Sequence, residues 1–192
     1  MTEPLIKVKQ LAYVRVGAPD TAAAEKFLTE FGLVVAERTH EAVYLRGTNA
    51  EPTCYVLSQG NGDVTAISFE ADSAEDLEKI AAVEGASGIE ALDGSCGGQV
   101  VRLKDPMGMQ VEICHGRTPL EALDPAPVHA FNMNGKRERL GLLPAIDRGP
   151  SHVRRIGHLV LESAQPEAVY QWYHEHFGLT VSDAVRLPDG SP

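Results

Sequence analysis

The sequence is short of positive charge. Of its 192 residues, 17 are Lys or Arg against 27 Asp or Glu, so the formal net charge is −10. A surface of that sign repels phosphate backbones, which argues against nucleic acid and anionic membranes as partners. Long apolar runs are missing too: none approaches the roughly 18 residues of a spanning helix. The N-terminus MTEPLIKVKQ lacks the apolar core of a secretion signal, so the expected location is the cytoplasm. Cysteine is scarce. Cys54, Cys96 and Cys114 form an odd, widely spaced set with no CxxC pair, which argues against a disulfide framework or structural zinc and for reduced, packed thiols. Only 6% of residues are aromatic, but 43% are apolar, enough for an ordinary globular core.

What is present is a repeating order of elements. Ile6–Gly17 carries Leu11, Tyr13, Val14 and Val16 and reads as a strand ending at a Pro19-Asp20 helix start. In Thr21–Phe31 the residues Ala24, Phe27, Leu28 and Phe31 recur at steps of three and four, predicting an amphipathic helix stopped by Gly32. Strands are expected at Leu33–Arg38, Ala42–Arg46 and Thr53–Ser58. The order then starts again: strand Val64–Ala71, helix Ser73–Val83 capped by Asp72 or Ser73, and strands Ile89–Leu92, Gln99–Leu103 and Gln110–Cys114. Residues 1–115 thus read as two βαβββ units that pair into one α+β domain, a curved mixed sheet with its helices outside.

Residues 116–150 change character, with Pro119, Pro125, Pro127, Pro144 and Pro150 and the run Lys136-Arg137-Glu138-Arg139. They read as a linker with some packed apolar residues. Arg155–Glu162 (RIGHLVLE) is then expected as a strand, Pro166–Phe177 (PEAVYQWYHEHF) as a helix stopped by Gly178, and Leu179–Ser182 as the beginning of another strand. Residues 151–192 read as the opening of a second such domain.

The pieces LAYVRVGAPDTAAAEKFLTEFGL, VVRLKDPMGMQVEI and RIGHLVLESAQPEAVYQWYHEHFGLTVSD resemble the vicinal oxygen chelate superfamily. In their two-domain order they are most similar to type I extradiol ring-cleavage dioxygenases. The superfamily also includes glyoxalase I, methylmalonyl-CoA epimerase and antibiotic-resistance proteins, so resemblance alone does not fix the reaction. It implies metal ligands on inward-facing strand positions: a His on the first strand of a domain, a His or other residue on the fifth, and a Glu on the eighth. Matched to this sequence, the first domain has Ala12, approximately Ala66, and Glu112 at those positions. A lone carboxylate cannot replace a 2-His-1-carboxylate triad, so this domain is expected to be metal-free and Glu112 to be a hydrogen-bonded strand residue rather than a ligand.

His158, in IGHLVL, matches the first iron ligand of the catalytic second domain, and strand alternation would turn it inward with Val160. The competing reading is a packed core histidine. Further ligands and the acid-base residues implied by the resemblance would follow Pro192, so the 192 residues are expected to lack a full iron site. A complete site would hold Fe(II) and offer adjacent positions to a catecholate and dioxygen. The reaction implied is oxidative ring cleavage of a small aromatic diol, by a protein expected to be a homodimer. Two alternatives stay open: a non-catalytic protein that binds a small molecule or mediates dimerisation, and a glyoxalase- or epimerase-like isomerase using another metal. His174 and His176 lie two apart on a predicted helix and cannot converge on one ion, so they are expected at its surface. Trp172 and Tyr173 are expected to pack in the core, and QGNGD and DGSCGGQ to be turns.

Overall fold

The computed structural model of the chain describes residues 3–123 and 149–182. Its elements run β1 (Gln10–Ala18), α1 (Thr21–Phe31), β2 (Val34–Arg38), β3 (Ala42–Arg46), β4 (Tyr55–Gln59), β5 (Val64–Glu70), α2 (Ala74–Ala81), β6 (Glu90–Ala91), β7 (Gln99–Lys104), β8 (Gln110–His115) and α3 (Pro166–Phe177). The eight strands form one curled mixed sheet in the order β2-β3-β4-β1-β5-β8-β7-β6. Each unit repeats the same pairing: β1 lies parallel to β4 as β5 does to β8, and the remaining strands add antiparallel. The units join where β1 and β5 run antiparallel.

Period-two alternation divides the residues between the two faces of this sheet. On β8, Val111 and Ile113 enter the main core with Val14, Ile67, Phe69, Leu77 and Ile80, while Cys114 joins Tyr13, Tyr44, Val56 and Val100 in a second cluster. Local signals set the helix ends. Asp20 accepts from the Ala23 amide at 2.9 Å and Ser73 from the Asp76 amide at 3.1 Å. α1 forms over the predicted residues, but its apolar stripe is only partly buried. Leu28 packs inward with Leu45 and Leu57, while Phe27 and Phe31 stack on one another at 65% and 58% exposure.

The segment following residue 148 also departs from expectation. No strand forms at Arg155–Glu162 or Leu179–Ser182, since no neighbouring strand offers a ladder there among the described residues. Instead Val153 and Arg154 carbonyls accept from the Thr48 and Asn49 amides at 2.8 and 3.2 Å, and Ile156, Leu159 and Leu161 pack on the main core. Gly47 permits this approach, because a Cβ there would lie 2.1 Å from the Arg154 carbonyl oxygen.

α3 is seated in the main core, most of which the second unit supplies. Val169, Tyr173 and Phe177 are buried, and Phe69 packs against both rings. Three carbonyls of its last turn, which have no partner within the helix, accept from the backbone of the N-terminal segment: Leu5 N to Glu175 O at 2.7 Å, Ile6 N to His176 O at 3.2 Å and Val8 N to Phe177 O at 3.2 Å. That is why β1 starts at Gln10 and not at Ile6. The DPMG turn contributes Asp105, which accepts from the Met107 and Met109 amides at 2.8 and 2.9 Å and from the Tyr173 hydroxyl at 3.1 Å. Truncating Phe177 to Ala is expected to cost about 3–5 kcal/mol. Urea unfolding followed by circular dichroism should show the midpoint lowered with one transition retained, since α3 and the sheet share a core.

Candidate functional site

The strand register builds a polar row on the face opposite the main core. Tyr13 pairs with Ser68, Ser68 with Glu112, and Glu112 with Arg102. A register shift between Leu11 and Tyr13 leaves Ala12 outside this row, and Ala66 lies one step along, opposite Arg15 and Gln110. On β1 the shift puts Tyr13, not the matched Ala12, level with Glu112, because a bulge moves the alternation by one residue, whereas Ala66 shares the face of Ser68 two residues away. Glu112 lies on β8 in this row.

Glu112 is 1% exposed and accepts four hydrogen bonds. Oε2 receives the Tyr13 hydroxyl at 2.6 Å and Arg15 Nε at 2.9 Å; Oε1 receives Gln110 Nε2 at 2.8 Å and Arg102 Nε at 3.2 Å. Burial pushes the Glu112 carboxyl up, but Arg15, the Tyr13 hydroxyl and Arg102 outweigh it and hold the group below the usual carboxylate range. Tyr13 is driven well above the ordinary phenol range by burial first, then by the facing Glu112 charge. Asp93 ties the rim, meeting Arg15 Nη2 at 3.2 Å and Arg102 Nη2 at 3.7 Å, and Glu90 also pairs with Arg102. Arg117 closes the opposite side, donating to Glu70 and the Thr53 carbonyl at 3.0 Å each. The cavity left between Tyr13, Tyr44, Arg15 and Arg117 is about 10 Å³, enough for about one water and no organic substrate.

These residues do not fit a divalent metal. The single carboxylate has its four acceptor sites occupied and two guanidiniums beside it, and Tyr13 and Ser68 replace the nitrogen donors such an ion would need. Among the described residues no group of three His, Cys, Asp or Glu side chains could hold a metal ion. His158 is not brought to Glu112's row. It lies on the irregular stretch before α3, exposed together with Val160, which is 82% exposed, whereas alternation had turned both inward; without a paired strand no sheet face exists for them to enter. His174 and His176 are half-buried and not simply solvent-facing: their Nδ1 atoms lie 2.9 Å from the Leu179 carbonyl and 2.8 Å from the Trp172 carbonyl. Trp172 stacks on His176 at 4.6 Å and edges against Phe177. Cys54 and Cys114 are buried and Cys96 half-buried; burial pushes all three thiols up, Cys54 to about 11, which keeps them protonated. The run Lys136–Arg139 and His129 lie outside the described residues.

The comparisons with known proteins fit this architecture. No family model matches the chain. The fold is similar to the Mn(II)-bound glyoxalase from Novosphingobium aromaticivorans, with TM-score 0.75 and 19% identity over 94% of this chain and 56% of that one. It is also similar to homoprotocatechuate 2,3-dioxygenase from Brevibacterium fuscum, with TM-score 0.56 and 23% identity over 64% of this chain and 41% of that one. The chain has the vicinal oxygen chelate fold. In sequence, the chain is 24% identical over 193 residues to an iron-dependent extradiol dioxygenase of Rhodococcus jostii (strain RHA1), covering 95% of this chain and 58% of the relative. It spans a little over half the length of that relative.

Tyr13, Arg15 and Arg102 were not singled out by sequence reasoning. Their signal was the spacing Tyr13-x-Arg15 and Gln110-x-Glu112, which places each pair on one strand face, but which strands adjoin is a tertiary fact. Replacing Glu112 with Gln is expected to cost about 3 kcal/mol, the low end for a broken buried pair, because both arginines keep Asp93. A carboxyl with a depressed folded pKa stabilises above its unfolded value and loses that contribution as pH falls through the folded one. The stability difference between wild type and Glu112→Gln should therefore hold from neutral pH to about 4.3 and shrink below it. Chemical denaturation across that range measures it.

Proposed function

We propose that this chain forms part of an Fe(II)-dependent extradiol-type dioxygenase that cleaves the ring of a small catecholic aromatic. In this reading residues 1–115 are its metal-free first domain, 116–150 a linker, and 151–192 the opening of the metal-bearing domain. The observation that carries it is the relationship to an iron-dependent extradiol dioxygenase along 95% of the chain, both βαβββ units and the α3 region included. The filled face around Glu112 supports a structural rather than catalytic first domain, since it has neither ligands nor room for substrate. His158 is then this chain's contribution to the metal centre, and its exposure before α3 leaves the imidazole available. An iron centre would supply side-by-side binding of the diol and dioxygen; the described residues supply its scaffold. The same reading makes the protein a cytoplasmic homodimer.

A second reading has one specific observation in its favour. The similarity to the Mn(II)-bound glyoxalase covers 94% of this chain, against 64% for the B. fuscum dioxygenase. Its reaction class would be isomerisation with no use of oxygen.

The test is anaerobic Fe(II) loading of the protein as the cell makes it, followed by oxygen uptake and absorbance of the ring-opened product with 3,4-dihydroxyphenylacetate and simpler catechols. Oxygen consumption in step with catechol loss is expected, with iron content lost in His158→Ala and kept in Glu112→Gln. Inactivity toward catechols with Mn(II)-dependent isomerisation of a hemithioacetal would overturn the dioxygenase reading. Ring cleavage by a protein whose iron survives His158→Ala would overturn the role given to that residue.

A further inference from the structure

We infer that Arg15 and Arg102 act in this domain as a built-in substitute for a divalent cation, keeping Glu112 ionised while closing its carboxylate to metal. The inference rests on the reading that relatives of this fold carry their metals among inward-facing strand residues. It concerns this chain's own side chains.

A buried carboxylate must be compensated, by a metal, by a proton or by cationic donors. Here the compensation is all protein. Arg15 reaches Oε2 from β1, Arg102 reaches Oε1 from β7, and the Tyr13 hydroxyl and Gln110 amide take the two acceptor sites that remain. The guanidiniums are themselves mostly buried, at 17% and 24% side-chain exposure, so their repulsion of an approaching cation is only partly screened. Unlike lysines they cannot shed their charge to admit one. Arg117 adds a third cation on the far side of Tyr13, and Asp93 and Glu90, each more than half exposed, are engaged by Arg15 and Arg102, which leaves them weak attractors for a metal.

The register supplies a direct test. Tyr13 and Ser68 sit in the same row as Glu112, so Tyr13→His with Ser68→His sets two imidazoles beside the carboxylate. With the arginines kept, this double variant is expected to leave Mn(II) free in solution, read by electron paramagnetic resonance. With Arg15→Met and Arg102→Met added, it should bind Mn(II) at least tenfold more tightly, and Glu112→Gln should abolish that binding. Equal Mn(II) affinity with and without the arginines would overturn the inference, as would binding by the wild-type chain that disappears in Glu112→Gln.

A second measurement does not depend on the histidine variants folding. Arg15→Met with Arg102→Met should lower the melting temperature at neutral pH, and adding Glu112→Gln should recover most of the loss, because the arginines' main partner is the buried charge at residue 112 and their pairs with Asp93 and Glu90 are exposed. A triple variant no more stable than the double would overturn the substitution. None of these readouts involves catechol turnover, so failure here and failure of the dioxygenase reading are separately visible.

Discussion

A buried negative charge at the centre of the sheet sets the terms for the face that faces away from the main core. Glu112 is buried, and its compensation draws two residues from β1, one from β7 and a neighbour on β8 into contact with one carboxylate. Charge-assisted hydrogen bonds of this kind are short and directional, so they tie the two βαβββ units across the strands at which they join. The surrounding hydrophobic cluster, with Tyr13, Tyr44 and Val100, then fills what space remains. A face that in a binding protein would stay open is here packed nearly shut.

The other face is organised by α3. Its aromatic stripe is received by β5, its final carbonyls by the N-terminal segment, and its Tyr173 hydroxyl by the Asp105 turn. Each contact satisfies a group that folding would otherwise leave dry and unpaired, so the helix and the sheet support one another. Sequence order would assign α3 to a second domain. In the structure its energetics belong to the first. The stretch before it, freed from ladder pairing, lays Ile156, Leu159 and Leu161 against the same core and turns His158 outward.

For function, these two faces have a common consequence. Both faces of the sheet are occupied by packing, one against helices and one against its own ion-pair cluster, which closes the row around Glu112. The chain spans 58% of the Rhodococcus relative and 56% of the glyoxalase, and its fold, not its described side chains, is what it shares most clearly with them.

The sequence by itself determined the local grammar. The bounds of α1 and α3 and of β3 were readable to the residue from apolar spacing, caps and stop glycines, and the repeat of strand, helix and three strands was visible without any structure. It also placed Glu112 on the last strand of the second unit. What it could not decide was anything that depends on which strand lies beside which. The bulge before Tyr13 shifts the alternation by one and replaces Ala12 with Tyr13 in the row; the exposed Phe27 and Phe31 depend on how much space the sheet leaves beneath α1; and the expected strand at Arg155–Glu162 needs a neighbour before it can be a strand. Period and capping act over a few residues and are written in the chain. Register, compensation of a buried charge and the availability of a partner strand act between residues some 90 or more apart, as Tyr13 and Arg15 are from Glu112, and only the folded arrangement settles them.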